Sequence, residues 1–450
     1  MPADHCITVL DLGNSTLNKV PSSILHLQNL KCFLFPICES LRDLPANFVT
    51  DSIWLTDSMK PGVHDALITC LTLRTILPSP VFRNISHLII TCSKLSQLPD
   101  NIRLLSSLKS LTIRGCNLII SLPESIKYLP RLVLIDVRRN QMLHYVPALP
   151  QCIRFFYACD CVSLKTLLSS KTVPSIKNPC FFLLHNCINL DQDAYDAVLK
   201  DVITRIEYRA NSLSAVTLEN KNDVCYFLPA TRGKVRECFH YSSTQASVTV
   251  KLPPIFKCLG FVFYFIVPPV QSCFLNLQAS FGCECFLEKS SGEMIEVTSF
   301  FVDKDLPKSC RGSFEIKLIS DHLLLWYDAQ CCKGIMKTIK EIKAVNDGST
   351  TDYLTFKFFA HTEDNEELVI KECGVRWIYP SEDQIVEEGR GSKCKRGRDI
   401  YELHNGNIVR NGDTSESNDP DEMIPPSKKL KQCVFGTPSN LDRKEVEDLR

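Results

Sequence analysis

The sequence lacks an excess of charge of either sign: lysine plus arginine and aspartate plus glutamate stand at 51 each in 450 residues. That balance excludes a chain built as a whole to track nucleic acid or an anionic membrane, and leaves any charge-driven partner to a local patch. Long hydrophobic runs are also lacking. The longest, Leu259 to Val267, is about half of the roughly 18 residues a membrane-spanning helix needs. The N-terminus, MPADHCITVL, has no basic stretch followed by an apolar one, so no secretory leader is expected.

Catalytic signatures are missing too. There is no G-x-x-x-x-G-K-S/T phosphate loop, no G-x-G-x-x-G, no H-E-x-x-H and no G-x-S-x-G elbow. The close thiol pairs Cys159/Cys161, Cys283/Cys285 and Cys331/Cys332 lack the C-x-x-C spacing of zinc or redox sites. The ten histidines do not cluster with acids in a way that suggests general acid–base work. The expectation is a non-enzyme with no catalytic residue, no metal and no cofactor.

Cysteine, by contrast, is plentiful at 23 residues. With no leader expected, the compartment is read as cytoplasmic, with the nucleus as an alternative. Most thiols are then reduced and buried as small hydrophobes.

The strongest positive signal is an internal repeat. Around Cys116, apolar residues fall at Leu105, Leu108, Leu111, Ile113, Ile119, Leu122 and Ile126, with Pro123 after Leu122. The same offsets from Cys38 give Leu27, Leu30, Phe33, Phe35, Leu41, Leu44 and Phe48, and those from Asn140 give Leu129, Leu132, Ile135, Val137, Leu143 and Val146. Asn14 to Cys38 is 24 residues, and Cys92, Cys116 and Asn140 continue at 24, followed by Cys161 and Cys187 at steps of 21 and 26. The 54 residues between Cys38 and Cys92 leave room for two poorly matching units around Trp54 to Ile76, and the Cys92 unit is one residue out of register at Leu88 and Ile90.

A period of this length predicts a leucine-rich-repeat solenoid over residues 1–190. In Leu111-Thr-Ile113 the alternating pair is a short strand facing the core. The anchors Asn14, Cys38, Cys92, Cys116, Asn140, Cys161 and Cys187 sit where the chain turns, where a small polar or thiol side chain can satisfy backbone groups. The Leu-Pro half of each coil returns along the convex side, and stacking supplies the core. The side chains alternating with the buried pair form a concave stripe, the candidate partner-binding surface: Thr112, Arg114, Asp136, Arg138, Tyr157, Leu183 and His185. Ordinary solvated strand residues are the alternative reading for any one of them.

Residues 191–222 read as a helical cap or connector, with helical spacing from Ala194 to Ile206. Residues 223–380 then read as eight strands without a long helix, which favours a two-sheet β-sandwich. The run Leu259–Val267, apolar on both faces, is expected to be a central strand. Residues 381–450 form a mostly disordered charged tail with basic clusters at Lys393–Arg398 and at Lys428, Lys429 and Lys431. The second cluster is a candidate nuclear-import or nucleic-acid patch, with a solvated tail as the plainer reading.

The segments Leu105–Ile126, Val146–Leu167 and Phe182–Leu190 resemble the leucine-rich repeats of plant TIR-NB-LRR disease-resistance receptors. The stretches Cys225–Pro229, Val248–Pro253, Leu259–Phe261, His322–Tyr327 and Val369–Arg376 resemble the domain that follows those repeats. This resemblance covers about residues 7–380 and implies an α/β leucine-rich-repeat solenoid followed by an all-β jelly-roll/Ig-like sandwich. It departs from the family at Cys238-Phe239, where Trp-Phe is usual, and nothing in it resembles the TIR or nucleotide-binding domains. It implies a non-catalytic immune recognition module. The partners expected are pathogen effectors or receptor domains, bound by the concave face and the sandwich loops. The alternative is a nuclear nucleic-acid-associated regulator using the basic tail.

Overall fold

The computed structural model describes residues 7–12, 19–20, 22–27, 29–37, 41, 43–44, 48, 50–56, 66–167, 181–214, 224–230, 234–252, 258–269, 281–301, 318–345, 350–361 and 367–380. Asn14, Cys38, Lys428, Lys429, Lys431 and the whole 381–450 tail lie outside the described residues.

Each described repeat contributes one short strand to the main sheet, because only two or three of its alternating residues fit the core before the chain must turn. The strands are β1 (Val9–Asp11), β2 (Cys32–Pro36), β3 (Ser52–Thr56), β4 (His87–Thr91), β5 (Ser110–Ile113), β6 (Leu134–Asp136), β7 (Tyr145–Val146), β8 (Phe155–Tyr157), β9 (Thr166–Leu167) and β10 (Phe181–Leu183). All but β7 and β9 pair in parallel, in the order β1-β2-β3-β4-β5-β6-β8-β10. The pairs β7 and β9 form a small parallel sheet of their own. On the return side, Pro99 and Pro123 precede 3-10 turns at Asp100–Leu104 and Glu124–Tyr128, which bury Ile102 and Ile126. Proline there fixes φ where a helical N–H would lack a partner anyway.

Two features of the repeat count differ from the expectation. Only β3 stands between β2 and β4, so one unit occupies the stretch where two had room. Helices α1 (Ala66–Ile76) and α2 (Pro80–Asn84) fill the extra length, burying Leu73, Ile76, Val81 and Phe82 in place of a second coil. The slip at Cys92 also has a local cause. Gly115, Arg139, Asp160 and Asn186 adopt φ of 60–63°, and each immediately precedes its anchor, Cys116, Asn140, Cys161 or Cys187. The β4 coil omits this left-handed residue, so Cys92 follows Ile90 by two residues whereas Cys116 follows Ile113 by three. The strands themselves stay in register, Leu88 beside Leu111 and Ile90 beside Ile113.

After β10 comes helix α3 (Gln192–Ser214), followed by β11 (Val224–Pro229), short α4 (Lys234–Glu237), β12 (Tyr241–Ser243), β13 (Ser247–Lys251), β14 (Gly260–Val267), β15 (Phe281–Lys289), β16 (Met294–Phe301), β17 (His322–Tyr327), α5 (Ala329–Val345), β18 (Thr350–Ala360) and β19 (Glu372–Ile378). The edge of the solenoid sheet is taken up by a strand: β11 pairs in parallel with β10, and the same sheet continues antiparallel through β17, β14, β19 and β12. The boundary expected near residue 190 thus falls inside one continuous sheet. Helix α3 buries Tyr195, Val198, Val202 and Ile206. Its Glu207 accepts from Arg376 Nε and Nη2 of β19 at 3.1 and 2.7 Å, while Arg376 Nη1 donates to the Cys238 carbonyl at 2.7 Å.

A second sheet has the order β13-β18-β15-β16. Its rings meet those of the first sheet: Phe263 contacts Phe356 at 5.3 Å, and Trp326 contacts Phe358 at 5.9 Å. Strand β14 lies between β17 and β19 with all eight residues buried, because neither of its faces reaches water. Cys283 and Cys285 alternate on β15 and are both buried. One element departs from the expected all-β unit. The 17-residue α5 follows β17 and buries Ala329, Cys332, Ile335 and Ile339.

Candidate functional site

The described anchors, Cys92, Cys116, Asn140, Cys161 and Cys187, lie at the turns. Buried Asn140 donates from Nδ2 to the Ile113 and Val137 carbonyls, both at 2.8 Å, and its Oδ1 accepts the Cys116 N–H at 3.0 Å. The thiols do part of the same work: Cys161 donates to the Val137 carbonyl at 3.1 Å and Cys187 to the Ala158 carbonyl at 2.9 Å. Cys116 has the Arg114 carbonyl 3.5 Å from its sulfur, and Cys92 is buried. Burial pushes the Cys161 thiol up to about 12, and those of Cys159 and Cys187 well up. Protonated, enclosed thiols make poor nucleophiles and poor metal ligands. Among the described residues no group of three or more His, Cys, Asp or Glu side chains could hold a metal ion.

The sheet face opposite the core carries the expected stripe. Strand register puts Leu34, Trp54, Ile89, Thr112, Asp136, Tyr157, Leu183 and Phe227 in one row across it. Continuing through Leu324 to Phe265, the row reaches the face that meets the second sheet, where Phe265 contacts Phe358 at 6.4 Å. One face therefore changes character along the molecule. From β8 onward it is aromatic and its row residues Tyr157, Leu183 and Phe227 are buried, with partly exposed Phe155 stacked on Phe181 at 5.6 Å and Arg138 over Tyr157 at 5.5 Å. Thr112, Asp136, Tyr157, Leu183 and His185 are all buried, which removes them as contact residues.

Asp136 organises the middle of the row. Its Oδ2 accepts Arg114 Nη2 at 2.5 Å and Arg138 Nη2 at 2.7 Å, and its Oδ1 accepts Arg138 Nε at 2.9 Å. Burial opposes the Asp136 carboxylate, but the Arg138 and Arg114 guanidiniums outweigh it and hold the carboxyl below the usual carboxylate range. The Arg114 side chain is 41% exposed against 3% for Asp136. Of the seven stripe residues, Arg114 is thus the one that faces outward, with Arg138 behind it.

The accessible part of the face lies on the N-terminal side of Arg114. Trp54 and Ile89 are partly exposed between fully buried neighbours, and His87 and Thr91 are exposed on the same face. The sequence reading missed these residues because their units match the repeat poorly. The signal that finds them is alternation alone: Ile53-Trp-Leu55 and Leu88-Ile-Ile90 repeat the in-out-in pattern of Leu111-Thr-Ile113.

At the other end, His185 and His322 flank Phe227, with ring centroids 5.5 and 5.4 Å from it. The Asn186 N–H donates to His322 Nε2 at 2.9 Å, so the ring proton sits on Nδ1 and is donated to the Ser320 carbonyl at 2.8 Å. Burial lowers His185 to about 3, helped by His322, and burial lowers His322 to about 4. Both are neutral structural groups. No helix among the described residues is long and apolar enough to cross a membrane.

No protein-family model matches the chain. It is 25% identical to Disease resistance-like protein DSC1 of Arabidopsis thaliana, over 98% of this chain and 34% of that protein. Disease resistance protein RPS4 of the same plant is 22% identical over 83% of this chain and 30% of its own length. Among solved structures, the leucine-rich repeat domain of the type III effector XopL aligns with 41% of this chain and 71% of that one at 16% identity, with a TM-score of 0.26. The chain spans about a third of the length of the curated relatives it matches. With its repeat geometry already in view, the chain is a relative of plant TIR-NB-LRR disease-resistance proteins and fits the leucine-rich-repeat region of that family.

Proposed function

We propose that this chain is a non-catalytic protein-recognition module of plant innate immunity, working in the cytoplasm. It binds a pathogen effector or a receptor domain through the open face of its solenoid sheet and the loops of its two-sheet unit. That unit is read as the jelly-roll/Ig-like β-sandwich of the family, carried on residues 223–380. One observation supports the recognition reading above the rest. The row residues of the sheet face are buried from Thr112 onward, while Trp54, Ile89 and Thr91 on β3 and β4 and Arg114 in the turn after β5 stay accessible. Tryptophan and arginine are favoured anchors of protein interfaces, and a rigid sheet presents them with little ordering cost.

The test is co-precipitation of the tagged chain with candidate effectors and with nucleotide-binding domains of resistance receptors in plant tissue. Wild-type chain should retain a partner that the Trp54→Asp and Ile89→Asp variants lose, at equal expression. A partner held equally by all three, or none at all, would contradict the reading.

A further inference from the structure

The chemistry of the partner can be read from how Arg114 is held. Asp136 lies under two guanidiniums and divides its oxygens unequally: Oδ1 serves Arg138 Nε and the Arg138 N–H, while Oδ2 is shared by Arg138 Nη2 with Arg114 Nε and Nη2. Arg114 is thus held along one edge of its fork by a single shared oxygen. Among the described residues its Nη1 donates to nothing. A buried carboxylate fixes the guanidinium's direction without neutralising it fully, which leaves a positioned, half-exposed cation on the sheet face. Fixing it in advance removes much of the entropy cost that a mobile surface arginine would bring to binding.

Its surroundings narrow the choice of anion. Trp54 and Ile89 are direct ladder neighbours on β3 and β4, and Ile89 in turn pairs with Thr112 of β5. Two ladder steps put the Trp54 strand about 10 Å from the strand that leads into Arg114. A free phosphate could use the guanidinium but not this apolar surface. A polynucleotide needs several cations along its backbone, and among the described stripe residues Arg114 is the half-exposed cation, with Arg138 mostly buried behind it. A single carboxylate beside an apolar group matches both features.

We propose that the Arg114–Asp136–Arg138 cluster captures an aspartate or glutamate side chain of a protein partner, while an aromatic or aliphatic residue near it in the partner packs on Trp54 and Ile89. This rests on the reading that the open sheet face is where partners bind.

The test selects a phage-displayed library of random linear peptides on the immobilised full chain. Selected peptides should be enriched in Asp or Glu close to an aromatic or aliphatic residue. Replacing that acid by its amide, with wild-type chain, should weaken binding about tenfold or more, the scale of a charge-assisted hydrogen bond. Arg114→Gln should weaken it to the same degree and Arg114→Lys less, because lysine keeps the charge without the fork. The peptide-side change holds the proposal testable even if an Arg114 variant folds poorly. Peptides lost on Trp54→Asp but without acids and indifferent to Arg114→Gln would overturn the carboxylate proposal alone. Peptides indifferent to both positions, or no binder at all, would overturn it together with the reading of the face.

Discussion

Asn140 Oδ1 accepts the backbone N–H of Cys116 across 3.0 Å, linking one coil of the solenoid to the coil before it. Its Nδ2 spans the same two coils through the Ile113 and Val137 carbonyls. Asn140→Ala strands the Cys116 N–H and the Ile113 carbonyl in a fully buried site, while the Val137 carbonyl keeps the Cys161 thiol, so it should cost about 2 kcal/mol or more. Asn140→Cys should cost roughly 1 kcal/mol less, since a thiol can serve one carbonyl as Cys161 does. Urea unfolding with an unchanged m-value measures both. Equal losses would mean that volume, rather than hydrogen bonding, matters at the anchor.

Two glycines should behave in opposite ways. A Cβ on Gly374 would stand 2.2 Å from a ring carbon of Tyr264 and 2.6 Å from the Tyr241 carbonyl oxygen, so Gly374→Ala must push β19 away from its neighbours. A loss of about 3 kcal/mol is expected. Gly334 on α5 meets nothing within 4 Å, so Gly334→Ala should gain about 0.5–1 kcal/mol through helix propensity. Thermal midpoints of the two variants should bracket that of the wild type.

The buried histidines set an acid limit on stability. Their folded pKa values, about 3 for His185 and about 4 for His322, lie below the ordinary 6.5, so unfolding takes up protons between these values. Their contribution is complete above about pH 6.5 and is lost as pH falls toward the folded values. Each histidine should add about 1.4 kcal/mol per pH unit to the slope in that window. Urea titrations at a series of pH values should show the slope, and His185→Phe should reduce it by about one proton. An unchanged slope in that variant would contradict the burial assigned to His185.

Asp136 and Arg114 should separate stability from exposure. Asp136→Ala leaves Arg138 without its carboxylate in a mostly buried setting and should cost about 3–5 kcal/mol. Arg114→Ala removes a half-exposed partner and should cost less than about 1 kcal/mol. Chemical denaturation of the two variants decides the ranking, and a larger loss for Arg114→Ala would reverse the roles given to them.

Much of the solenoid was legible because repetition multiplies a weak local signal. Leu111, Ile113 and Leu122 could each be a core residue of any fold, but at a spacing of 24 they specify a coil. The same reliance on spacing hid what departs from it. The β3 unit is 35 residues from the start of β3 to the start of β4, with two helices in the excess, so it matched no template. The β4 unit slipped because it drops one left-handed turn residue. Stripe membership was legible from alternation, yet burial was not. Tyr157 and Leu183 alternate as Trp54 does, and only the aromatic packing around them decides that they are closed. Helix α5 was missed because Cys331-Cys332 and Gly334 weaken its pattern, while Ile335, Ile339 and Ile342 are as typical of strands as of helices.

The most direct test of the central claim, that the open face on β3 and β4 and at Arg114 binds a protein partner, is calorimetric titration of a captured partner into wild-type chain and Trp54→Asp. The account predicts at least about tenfold weaker binding for the variant, near 1.4 kcal/mol, with its unfolding midpoint unchanged. Equal affinity for the two chains would contradict it.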